Sequence, residues 1–191
     1  MSIGKDWPWK LREAFDQIKN RYDHIGRKTG AALLAIVYPP EVEQAVLKEW
    51  HTLSGSFGNG FEVRTIDVLT ETMKVVEELG SDSIVGAMSD PLPGAEPETD
   101  LGRMWISQII EQVREEANRP ANGKVVIVLE NLAALYPVTG PQALMHELWE
   151  NEQNHLQGQL VVALIPGSLV EPKVYRFVNQ REEFMYRGDC L

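Results

Sequence analysis

Three apolar runs in this chain each stop abruptly in proline. Ala31–Val37 ends at Tyr38–Pro39–Pro40, Val125–Leu129 runs through Glu130–Asn131 to Tyr136–Pro137, and Leu160–Ile165 ends at Pro166–Gly167–Ser168. Runs of Val, Leu, Ile and Ala without polar alternation bury both of their faces, as strands of a parallel sheet do between two layers of helices. Between them, apolar residues recur at helical spacing. Leu11, Phe15, Ile18, Tyr22 and Ile25 share one face of a helix over about 6–26, and Val42, Ala45, Val46, Trp50 and Leu53 share another. Leu101, Trp105, Ile109, Val113 and Ala117 mark a third helix, with Asp100 as its expected cap. Alternation over Phe61–Val68 predicts a more exposed strand, and Thr70–Leu79 a helix after it. A further helix opens at Gly140–Pro141, while residues 81–99, rich in Pro, Gly and acids, read as a mobile loop. This order predicts one α/β domain over residues 1–191, a three-layer sandwich around a mainly parallel sheet of four to five strands.

Charge narrows the function classes. Twenty-eight acidic residues against 18 basic ones leave a formal charge of -10. A surface that acidic disfavours unaided binding to nucleic acid or an anionic membrane, both of which require concentrated Lys and Arg. Any DNA contact is therefore expected to be indirect or weak, through Arg27, Lys28, Arg176, Arg181 and Arg187. Cys190 is the only cysteine, so neither a disulfide framework nor a cysteine zinc cluster is available. The amino terminus has no apolar signal core and no run approaches membrane-spanning length, which predicts a cytoplasmic protein.

Ligands of open α/β sheets sit beyond the carboxyl ends of the strands. The candidate binding surface is therefore Tyr38, Asp67, Glu130, Asn131, Tyr136, Gly167 and Ser168. The chemistry expected at such an edge does not assemble from the sequence. Gly26–Arg27–Lys28–Thr29 has the Gly-x-Lys-Thr end of a phosphate loop, but Arg21 stands where the earlier glycine is required and the segment precedes a strand. Gly55, Gly58 and Gly60 also precede a strand, where a pyrophosphate could not reach a helix N-terminus. His146–Glu147 begins like a metalloprotease helix, yet Glu150 holds the second histidine position, with His155 the remaining ligand candidate. His24 and His51 have no partner spacing. Glu130 closes an apolar strand as a magnesium ligand does, but magnesium normally shares its sites with substrate phosphates. Asp67 suits the cap of the helix after it, and Ser168 has no triad around it. No catalytic residue, metal or cofactor is assigned.

The carboxyl-terminal half carries a family resemblance. Val125–Pro137 with its Leu135–Tyr136–Pro137 ending resembles the B-protein family of BREX bacteriophage-defence systems. Leu164–Ile165–Pro166–Gly167–Ser168 is similar to that family's strand ending in Pro-Gly and a small hydroxyl residue. Phe177–Val178–Asn179 and Phe184–Met185–Tyr186–Arg187 resemble its closing segment, and Ile66–Asp67–Val68–Leu69 its Asp-Leu after the second strand. Glu130 departs from the small residue usual there, and Tyr38–Pro39–Pro40 replaces a more acidic turn.

The resemblance implies a non-catalytic adaptor in a multi-protein antiviral system, with a phosphatase-like subunit, a large ATPase or a DNA methyltransferase as partner. The sheet also looks like a nucleotide-hydrolase fold without a P-loop. That leaves as alternatives a nucleotide-binding or metal-assisted hydrolase module at the strand ends, or a DNA-contacting accessory subunit.

Overall fold

The computed structural model describes residues 6–151 and 156–191. The apolar runs form the middle of its sheet: β1 (Leu33–Tyr38), β3 (Lys124–Glu130) and β4 (Leu160–Glu171). With β2 (Phe61–Asp67) and β7 (Asp189–Cys190) they lie parallel in the order β2-β3-β4-β1-β7. Tyr38 pairs with Pro166 and Asp67 with Glu130, so the strands end level along one edge.

Side-chain alternation along the central strands divides the core in two. Leu34, Ile36, Val126, Val128, Val162 and Leu164 face α1 (Trp7–Arg21) and α2 (Glu43–Ser54), where Leu11, Ile18, Val46 and Trp50 meet them. Ala35, Val37, Ile127, Leu129, Val161 and Ile165 face the other way. There they meet α3 (Val68–Leu79), α5 (Pro97–Asn118) and α6 (Pro141–Asn151) through Val75, Ile109, Val113, Leu144 and Leu148. The architecture is the expected α/β sandwich, helices covering both faces of a mainly parallel sheet.

The sheet has seven strands rather than four or five. Two lie beyond Pro166–Gly167–Ser168, which the sequence places at a strand end. β4 runs on to Glu171, leaving the parallel sheet to pair antiparallel with β5 (Val174–Phe177), itself paired to β6 (Arg181–Phe184). Proline lacks an amide for the ladder, and Pro166 stands where β4 changes partners, its carbonyl accepting from the Val178 amide at 2.8 Å. Gly167 is required by proximity: a Cβ there would lie 2.4 Å from the Arg176 carbonyl oxygen across the ribbon. The third addition is β7, where Cys190 pairs with Ala35.

Residues 81–99 are not one long loop. Ser81–Ser89 form α4, and α5 starts at Pro97 rather than beside Asp100. Proline fits the first helical turn, because the amide it lacks has no partner there. Asp100 lies inside that turn, its amide donating to the Glu96 carbonyl at 2.9 Å. No helix among the described residues is long and apolar enough to cross a membrane.

Candidate functional site

The level strand ends bring Tyr38, Asp67, Glu130 and Asn131 to one edge. Asp67 is the cap of α3: its Oδ1 accepts from the Leu69 amide at 3.1 Å and its Oδ2 from the Thr70 hydroxyl at 2.8 Å. Asn131 holds a left-handed φ of 57°, a conformation asparagine tolerates, and from there its Nδ2 donates to Asp67 Oδ1 at 2.8 Å. Glu130 is buried and turns towards α2, where its Oε1 lies 2.6 Å from His51 Nε2. Tyr38 is buried beside them and donates to Glu43 Oε1 at 3.0 Å.

Burial and pairing set the protonation of these groups in opposite directions. Loss of water raises the Glu130 carboxyl above the usual range, with the nearby Asp67 charge adding to the rise and His51 opposing it. At Asp67 burial also favours the neutral acid, but hydrogen bonds from Asn131, Thr70 and Leu69 together outweigh it and hold the carboxyl low. Tyr38 is raised by burial and then by the Glu43 and Glu130 charges, so its hydroxyl stays protonated and donates.

The two carboxyls therefore carry opposite pH dependences. Asp67 contributes stability above its unfolded pKa, lost as pH falls through its lowered folded value. Glu130 contributes stability below its unfolded pKa, lost as pH rises through its raised folded value. The stability of the native protein relative to Glu130→Gln should accordingly fall as pH rises from about 4, the unfolded carboxyl range, in paired urea titrations. A difference that grows as pH rises would mean that the His51 contact dominates.

Tyr136, Gly167 and Ser168 belong to a neighbouring group. The Tyr136 ring, about two-fifths exposed, meets Phe177 edge-on at 6.4 Å between centroids, and Phe177 pairs with Gly167. Ser168 pairs with Arg176. The basic candidates do not form a single stripe. Arg27 and Lys28 precede β1, at its amino-terminal end, whereas Arg176 lies on β5, past the carboxyl end of the parallel part of β4. Arg181 is paired with Glu183 at 3.1 Å and Arg187 with Glu150 at 3.4 Å.

His51 and Glu43 are site residues the sequence reading missed. His51 and Glu130 are 79 positions apart, so no local spacing could have joined them. A second missed feature is the buried Glu183. Its carboxylate accepts from the Gln142 amide at 2.9 Å, the Tyr175 hydroxyl at 2.7 Å and Arg181 Nε at 3.1 Å. The Phe184 amide donates back to Gln142 Oε1 at 3.0 Å, so β6 and the start of α6 cap one another. A cleft of about 660 Å³ opens beside this junction, reached by His146, Glu150, Tyr186 and Arg187.

Cys190 lies in β7, with burial raising its pKa to about 11. No cluster of three or more metal-ligating side chains occurs among the described residues, and His155 lies outside them. Compared with known proteins, the chain matches no family model, no curated protein and no solved structure.

Proposed function

We propose that the chain is a non-catalytic adaptor that works through protein contacts in a BREX-type antiviral system. The observation that carries this reading is what the strand-end polar groups are doing. Each of them has a hydrogen-bond partner within the fold, as polar groups with a structural part do. Here Tyr38 is held by Glu43, Asp67 by Leu69, Thr70 and Asn131, and Glu130 by His51. The motifs Leu135–Tyr136–Pro137 and Pro166–Gly167–Ser168, which carry the resemblance, have structural parts in the turn after β3 and the exit of β4. The acidic surface suits a partner that is itself basic, such as a DNA-handling subunit.

The tagged chain, co-expressed with the products of its neighbouring genes, is expected to co-purify with a phosphatase-like protein, a large ATPase or a DNA methyltransferase. Failure to associate with any of them would remove the basis of the reading.

A further inference from the structure

α4 is nine residues long and none of them is buried. A helix that short is not held by intrinsic propensity, and in proteins most helical stability comes from packing an apolar face. α4 has such a face, but it borders solvent. Leu79, Met88, Leu92 and Met104 are 38%, 37%, 78% and 46% exposed. With Ile84 and Leu101 they line a groove of about 330 Å³ formed by α3, α4, the turn after it and α5. Contiguous exposed apolar surface of this kind marks interaction sites, and methionine thioethers adapt to varied partner shapes.

The charged residues lining the groove are acidic, Asp90 and Asp100, the latter paired with Arg103 at 3.2 Å. Residues 75–102 carry seven acids, Glu77, Glu78, Asp82, Asp90, Glu96, Glu98 and Asp100, and no Lys or Arg. We propose that this groove receives a basic amphipathic helix from another protein, its apolar stripe on the Leu and Met side chains and its Lys and Arg against the acidic rim. The inference rests on the protein-contact reading above and names the face and the partner chemistry. An apolar groove reads an amphipathic helix through anchors at helical spacing, and complementary charge steers it into register. A second copy of this chain would set two acidic rims against each other. An anionic membrane or nucleic acid would be repelled in the same way.

The test uses the whole chain and a fluorescent Leu/Lys amphipathic helix of about 18 residues, long enough for five turns. A scrambled peptide of the same composition is the control. The helical peptide should bind the native chain at least about tenfold more tightly than the scrambled one, and binding should weaken as salt rises. Met88→Ser/Leu92→Ser/Met104→Ser should reduce affinity by about tenfold or more, and Asp82→Lys/Asp90→Lys should do so while weakening the salt response. Asp82 and Asp90 are exposed, so the second variant decides the matter if the first does not fold. Equal binding of both peptides, or unchanged affinity in the variants, would overturn the proposal. So would sedimentation showing a native dimer that Met88→Ser/Leu92→Ser/Met104→Ser dissociates.

Co-purification with the neighbouring gene products separates the two readings. If those proteins still associate with the groove variants, the groove is not their dock and the proposal falls while the adaptor reading stands. If none associates with the native chain but the peptide binds as described, the adaptor reading falls and the groove stands.

Discussion

Replacing Glu183 by alanine is expected to lower stability by about 3–5 kcal/mol, the usual consequence of removing one partner from a buried, hydrogen-bonded charge network. Three groups lose their acceptor at once: the Gln142 amide at the start of α6, the Tyr175 hydroxyl and the Arg181 guanidinium. Tyr175 is fully buried, and burial together with the Glu183 charge raises its pKa, so the hydroxyl cannot compensate by ionising. Glu183→Gln keeps one acceptor oxygen and should recover part of the loss. Urea unfolding at neutral pH measures both, and a loss below about 1 kcal/mol for Glu183→Ala would show that this junction is solvated and weak.

Arg64→Ala is the second large effect, expected at about 3 kcal/mol or more. The Arg64 side chain is 3% exposed, on a strand that otherwise reads as a half-exposed edge. Its guanidinium donates to the carbonyls of Glu116, Arg119 and Pro120, with the Arg119 and Pro120 oxygens at 3.1 Å and 3.0 Å. These are carbonyls at and just beyond the end of α5, where a cation also complements the helix dipole. Glu62, the carboxylate partner, is half-buried and shares the same guanidinium. Arg64→Lys should recover little, since an ammonium cannot span several carbonyls as a planar fork does. Full recovery by lysine would mean that charge, not the fork geometry, holds the α5 end to β2.

The parts of the fold visible in the sequence are those whose burial is uniform or strictly periodic. β1, β3 and β4 are apolar on both faces, and α5 repeats its apolar residues every turn. α4 was hidden because its apolar stripe, Ile84, Ala87 and Met88, is short and is followed at once by a segment rich in proline and acids. The pairing of β4 with the ribbon of β5 and β6 was hidden by Pro166, which reads as a stop where it marks a change of strand partner. At the strand ends, Asp67 and Glu130 were found from their position after apolar segments. His51 was not, since only the packing of α2 on the sheet places it against β3.

β7 has a consequence for how the sheet meets other sheets. Val37 donates to the Leu191 carbonyl and the Leu191 amide to Ala35, each at 2.9 Å, so the outer row of β1 is already occupied. The opposite rim is β2, with no second strand partner among the described residues. It carries a partly exposed Glu62 tied to an inward-pointing, buried Arg64. One rim is thus capped by the chain itself and the other is blunted by charge, so growth of the sheet by strand addition is discouraged at both. Association between molecules is left to helix faces and clefts rather than to the backbone.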